Sequence, residues 1–301
     1  MRKTLLFLTV LLITLSFGKA FAQTPEEAHK PPSVLLFVRE EIKPGMMSAH
    51  NKHAATYAGI FSRLQTPNHR IAMVPVAGSE NEVVYLTGCD SFADLEKQLN
   101  ETEKKLGSVN VKVQTELDRL DKEAASLHAS MRDVMAVYRP EMSFNPGVSI
   151  AQMRYFSVNT VRIRPGNDAK YVDYVQKLLS LARTKAKLPD NFHIAVFQVV
   201  SGAPGGTFMV FRPMKSLAEL DNNIGRTVRA AMSEDMQKDM DKAYGEAVMS
   251  SETTIYAFAP KLSFLPKEFT SMDAAFWEPA SEVAATAKPK KRGNALAAKE
   301  R

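Results

Sequence analysis

Two histidines one helical turn apart, His50 and His53, are the residues whose types and spacing best suit chemistry. A His-x-x-His pair on one helix face can bind a metal or the edge of a haem, but a metal needs at least a third ligand. His193 and the carboxylates Glu40 and Glu41 are the candidates for it. Nothing in their spacing brings them to the histidines, so no metal is expected. The ordinary reading of His50 and His53 is a solvated pair near an exposed helix start. Arg139, with Glu141 two residues on, is a fourth candidate; its ordinary role is an ion pair between two parts of the fold. Met232, Met236 and Met240 recur every four residues, a spacing that would suit Cu(I). Ile224, Val228 and Tyr244 continue it, so the stripe reads as core packing. There is no HExxH, no Ser nucleophile elbow and no phosphate-loop Lys-Ser/Thr in the chain.

The elements that must position these residues occur twice. Arg139-Pro140-Glu141-Met142-Ser143-Phe144-Asn145-Pro146 returns 120 positions later as Ala259-Pro260-Lys261-Leu262-Ser263-Phe264-Leu265-Pro266. Ile42-Lys43-Pro44-Gly45 returns as Ile163-Arg164-Pro165-Gly166, and Ser91-Phe92-Ala93-Asp94-Leu95 as Ser216-Leu217-Ala218-Glu219-Leu220. Ile71-Ala72 matches Ile194-Ala195, which aligns His193 with Arg70. Across the same duplication His50 faces Tyr171, His53 faces Tyr174, Arg139 faces Ala259 and Glu141 faces Lys261.

Each copy reads strand, helix, strand, strand, helix, strand. Val34-Leu35-Leu36-Phe37-Val38 is the continuous apolar run of a buried strand. Met47, His50, Ala54, Tyr57, Phe61 and Leu64 form one face at the helical period. Strands follow over 70–76 and 82–89, joined by a Gly-Ser-Glu-Asn loop. A helix capped by Asp90-Ser91 comes next. The stripe Val113, Leu117, Leu120, Ala124, Leu127, Met131 and Val134 predicts a second helix running to Val134, with a last strand near Val137-Tyr138. The second copy repeats this, with helices expected to about Val248 and a last strand over 253–258.

A residue kept in both copies, such as Ser143 with Ser263 or Phe144 with Phe264, is explained by the fold. A polar residue on an apolar stripe in one copy alone points to function.

The element order, with Lys43-Pro44-Gly45 and Arg164-Pro165-Gly166, resembles a tandem member of the dimeric α+β barrel superfamily. The resemblance spans about residues 33–266. It implies an α+β fold of two ferredoxin-like βαββαβ repeats, over 33–147 and 148–270, whose sheets pair face to face into a barrel within one chain. Relatives include cofactor-less monooxygenases, haem-degrading and haem-binding enzymes, stress-response barrels and NIPSNAP-like proteins. The expected role is binding of a small apolar ligand or a partner protein, without a cofactor. The alternative is a monooxygenase-type enzyme, cofactor-less or using haem, with His50, His53 or His193 in its pocket. Either a monomer or a homodimer is compatible with the tandem fusion.

The ends of the chain read differently. Arg2 and Lys3, the apolar stretch from Thr4 to Phe17 and the small residues of Ala20-Phe21-Ala22 form a secretory signal peptide over 1–22, cut after Ala22. This implies a periplasmic or secreted protein. Residues 23–32 are a linker, and 271–301 a C-terminal segment in which Phe276-Trp277 docks and a basic tail is disordered. The tail suggests weak contact with an anionic surface. The formal net charge of +6 arises at these ends: 1–22 carry +3 and 281–301 carry +4, leaving 23–280 at −1. A nearly neutral body argues against nucleic acid as a partner. Cys89, the only cysteine, ends an apolar run and reads as a buried, inert thiol.

Overall fold

The computed structural model describes residues 30–78 and 80–278. The proposed signal peptide and the basic tail lie outside them. The first half runs β1 (Val34–Ile42), α1 (Met47–Leu64), β2 (Ile71–Pro75), β3 (Glu82–Cys89), α2 (Phe92–Gly107), α3 (Val111–Leu127) and β4 (His128–Tyr138). The second runs β5 (Tyr155–Ile163), α4 (Asp168–Thr184), β6 (Ala195–Ser201), β7 (Thr207–Met214), α5 (Ile224–Ala230), α6 (Glu234–Ala247) and β8 (Val248–Phe258). Two short helices, α7 (Lys267–Thr270) and α8 (Ala274–Trp277), follow.

The strands close into one barrel in the order β1-β3-β2-β8-β5-β7-β6-β4, with every pairing antiparallel. Within each half the order is that of a ferredoxin-like unit. The halves meet edge to edge through β2–β8 and β4–β6, so the two sheets are hydrogen-bonded into one rather than merely facing each other. Closure leaves neither half with an unpaired sheet edge.

The last strand of each half is longer than expected. The stripe through Met131 and Val134 does not continue α3, because His128 leaves the helix with extended backbone (φ −87°, ψ 137°) and β4 pairs along the whole of β1. Val248 does the same after α6 (φ −89°, ψ 129°). Each β1-type strand has two neighbours in the barrel, and satisfying its backbone groups requires a long partner on this side. The stripe's 4-3 spacing fits a helix as far as Leu127; beyond it the chain's need for strand pairing wins.

The repeated phrase closes the barrel reciprocally. Ser143 Oγ accepts from the Val196 N–H of the second half at 3.0 Å and donates to Arg139 O at 2.9 Å. Ser263 Oγ accepts from the Ala72 N–H of the first half at 2.9 Å and donates to Ala259 O at 2.9 Å. Phe144 bridges Ile194, and Phe264 bridges Arg70. In the Pro-Gly turns Gly45 and Gly166 sit at φ 81° and 80°, where a side chain would be strained, which is why glycine recurs there.

Side chains alternate between the two faces of the barrel wall. Leu35, Phe37, Val84, Phe156, Val158, Phe197, Met209, Phe211, Tyr256 and Phe258 fill the interior. Outward residues pack under the helices, Val83 and Tyr85 against Ala54 of α1 on one side and Val161, Phe208 and Val248 against Tyr171 of α4 on the other. Trp277 is buried against Phe258, Phe269 and Phe276, and its indole N–H donates to Ala151 O at 2.7 Å. The α7–α8 segment is thereby pinned across one end of the barrel.

Candidate functional site

The first polar centre lies outside the barrel wall, between β1 and the helices of the first half. Glu40 points outward from β1, and His50 comes from the first turn of α1. His128 stands at the joint between α3 and β4. The backbone sets this meeting: Lys43 N–H donates to Leu127 O at 2.9 Å, tying the start of the Pro-Gly turn to the end of α3. His50 Nε2 is 2.8 Å from Glu40 Oε2, and His128 Nε2 is 3.4 Å from the same oxygen, without hydrogen-bond geometry. The His50 and His128 rings meet edge to face with centroids 5.2 Å apart. His53 stands one turn on, its Nδ1 3.4 Å from Glu123 Oε2 and its ring 6.3 Å from that of His128.

His50 is 0% exposed and His53 is 5% exposed, so the reading of a solvated pair at an exposed helix start is corrected. Their stripe faces the wall of the barrel, and Glu40 supplies the partner a buried imidazole needs. The third candidate ligand is therefore adjacent to His50 after all. Glu41 is not; on the opposite face of the strand, it accepts from the Ser130 hydroxyl at 2.8 Å. His128 was missed by the sequence reading because it lay inside the expected helix. Its strand position, opposite Ile42, is the signal that would have found it.

Burial alone would raise the Glu40 carboxyl, but the hydrogen bond from His50 and the charges of His128, His50 and Arg70 outweigh it and hold the group below its ordinary value. Burial holds His128 below the usual histidine value despite the pull of Glu40. Burial also pushes the Tyr85 hydroxyl up, with Glu40 adding to the effect, and the Arg70 guanidinium lies 4.4 Å over the Tyr85 ring. The centre is thus an ionised carboxylate held by imidazoles in a half-dry setting.

A second polar group closes the barrel interior at the Arg39 end. Tyr256 OH donates to Glu82 Oε1 at 2.8 Å, Arg39 Nη2 donates to Tyr256 OH at 3.2 Å, and Arg39 Nε lies 3.2 Å from Glu82 Oε2. Burial, with Glu82 adding and Arg39 opposing, pushes the Tyr256 hydroxyl up to about 12. These three groups satisfy one another.

The opposite end of the barrel holds a cavity of about 440 Å³. Leu35 and Phe156, Leu86 and Phe211, and Pro146 and Pro266 line it as equivalent pairs from the two halves. His69 and His193 line it too. The register corrects the alignment of His193. Arg70 bridges Phe264 as Ile194 bridges Phe144, so Arg70 is equivalent to Ile194, and His193 to His69. The shared Ile-Ala dipeptide misleads by one position. His193 is thus a histidine kept in both copies, with its Nδ1 2.6 Å from Asn145 O.

Arg139 does not pair across the duplication with Lys261's half as an ion pair. Its Nε donates to Glu141 Oε1 at 2.6 Å within the same phrase, and its Nη1 donates to Gln198 of β6. The methionine stripe is broken where α5 ends and α6 begins, and of its three members only Met240 is fully buried.

The His50 centre does not suit a haem. His50 is enclosed, and neither the end cavity nor the groove between α1 and the α7–α8 segment is lined by His50, His53 or His128.

Eight antiparallel strands closed from two βαββαβ units define a dimeric α+β barrel contained in one chain. No protein-family model matches the chain, and no curated protein matches it. Similar solved structures include an anthrone oxidase-like protein, at 11% identity and TM-score 0.46, with 77% of this chain and 93% of that one covered. A mutant chlorite dismutase from Candidatus Nitrospira defluvii, in complex with cyanide, is similar at 10% identity and TM-score 0.45, covering 79% and 95%. The strand order, rather than these likenesses, defines the fold.

Proposed function

We propose that the protein is exported and binds a small apolar molecule in the cavity at the end of its barrel. The observation that carries this reading is the cavity itself: about 440 Å³, walled by Leu35, Ile71, Leu86, Phe156, Phe197 and Phe211. That volume falls in the range of small-ligand sites, roughly 300–1,000 Å³, which are mostly apolar with a few placed polar groups. His69 and His193 are such groups, standing at equivalent positions to meet a polar end of the ligand. The equivalent pairs Leu35 with Phe156 and Leu86 with Phe211 favour one occupant lying between the two halves.

Titration with the fluorescent apolar probe Nile red tests the binding. The wild-type chain should raise its emission saturably, and Ala195→Phe, which fills the cavity wall, should weaken binding at least about tenfold, a cost of roughly 1.4 kcal/mol. Unchanged binding by the filled variant, or none by the wild type, would remove the proposal. Export is tested by expressing the full chain in a Gram-negative host: the mature protein should begin at Gln23 and leave the cytoplasm. An uncleaved cytoplasmic product would refute it.

A further inference from the structure

We propose that Glu40, His50 and His128 form a binding site for one divalent transition-metal ion, Zn²⁺ being the best match to their chemistry. Two imidazoles and one carboxylate are a donor set that takes borderline ions such as Zn²⁺ in preference to Mg²⁺ or Ca²⁺, which demand oxygen ligands. One ligand atom from each residue lies within 4.8 Å of the other two. The separations from Glu40 Oε2, 2.8 Å to His50 Nε2 and 3.4 Å to His128 Nε2, bracket the spacing of about 3.3 Å that ligands at about 2.0–2.1 Å subtend around a tetrahedral ion. Only a small opening is needed for an ion to replace the proton now shared between His50 and Glu40.

Two further observations point to a ligand. The Nε2 of His128, one of the three ligand atoms, is buried and has no hydrogen-bond partner. Orphaned polar atoms of this kind are costly, and a bound ion or water is one of the ordinary remedies. The second observation is the internal control that the duplication supplies. The equivalents of Glu40, His50 and His128 are Val161, Tyr171 and Val248, a buried apolar cluster beneath α4 and α6. The fold therefore does not require polar groups at this place. Three separate elements of the first half carry them together.

The neighbours limit the site to these three ligands. His53 Nδ1 is turned to Glu123, and Arg70 stacks on Tyr85 with its charge facing Glu40. Glu40 and His128 retain side-chain exposures of 14% and 17%, giving an ion a route from solvent. Three protein ligands leave a position around a four-coordinate ion for water.

The test uses untagged, chelator-stripped full-length protein, titrated with Co²⁺ as a spectroscopic stand-in and with Zn²⁺ by elemental analysis. One ion per chain should bind, with visible d–d absorption of a low-coordinate site, and Zn²⁺ should displace Co²⁺. The triple variant Glu40→Val, His50→Tyr, His128→Val copies the second half into the first and is expected to fold. It should lose at least about a hundredfold in affinity while its thermal midpoint and its Nile red binding hold. Should that variant fail to fold, Glu40→Gln keeps the shape and should weaken binding by itself, whereas His53→Ala should leave binding intact. Equal binding by wild type and by either site variant, or no stoichiometric binding by the wild type at micromolar metal, overturns the proposal.

Discussion

Tyr171 occupies in the second half of the chain the place that His50 occupies in the first. Both are buried on the first amphipathic helix of their half and lie against the outer face of the barrel. Tyr171 rests on the Phe208 ring at 5.1 Å, while His50 holds a carboxylate at 2.8 Å. One architecture thus tolerates either an apolar filling or a charged centre at this point.

A difference in stability follows from that tolerance. His50→Ala strands the Glu40 carboxylate in a half-dry site, and breaking a buried pair in this way costs roughly 3 kcal/mol. Adding Glu40→Gln to His50→Ala should recover part of the loss, because the unpaired charge is gone. Urea unfolding of the two single variants and the double variant measures the coupling, and strictly additive costs would show that the two residues do not act as a pair.

The serines of the repeated phrase should behave as twins. Ser143→Ala leaves the buried Val196 N–H without its acceptor, and Ser263→Ala does the same to Ala72. Each should cost about 1–3 kcal/mol, the penalty of a lost partner at a buried amide. Amide exchange should quicken at Val196 in the first variant and at Ala72 in the second, each in the half that was not mutated. Exchange confined to the mutated half would contradict the reciprocal closure.

The duplication made the fold legible, because repeated anchors such as Pro44-Gly45 with Pro165-Gly166 fix the element order twice over. Helix α1 emerged with its bounds from its apolar stripe. The ends of α3 and α6 did not, since a stripe at Met131 and Val134 satisfies a helix as well as a strand, and only pairing with β1 decides between them. That ambiguity hid His128, and with it the candidate centre. His50 was legible as an oddity against Tyr171, and Glu40, ten residues earlier, was named as a candidate ligand, yet its place beside His50 was beyond reach: its direction depends on the pleat of β1 and the turn that follows. His193 shows the opposite failure, where a chance dipeptide outweighed the hydrogen-bond register.

The lone cysteine should be inert. Cys89 is buried with Val34 and Leu95, and Met135 packs against them. Burial pushes its thiol up to about 11, with Asp94 and Asp90 adding to the shift. The thiolate is the reactive form, so a disulfide reagent near neutral pH should label the native chain far more slowly than the urea-unfolded chain. Equal rates would mean that this corner of the fold opens freely.

Acidification should weaken the fold through His69. Burial lowers its pKa from the ordinary value of 6.5, with Glu268 opposing, and its ring packs 4.9 Å from that of Phe264. Between the lowered native value and 6.5 the unfolded chain binds the extra proton, so stability rises with pH across that window. The contribution is therefore complete above 6.5, declines as pH falls through it, and levels off below the native value. Urea midpoints of the wild type and of His69→Gln, followed from pH about 7.5 to about 5, should diverge, with the wild type falling more steeply. Parallel curves would locate the acid sensitivity elsewhere. Because His69 lines the end cavity, a ligand that accepts a hydrogen bond from its protonated ring should flatten the wild-type decline, while an entirely apolar probe should leave the slope as it is.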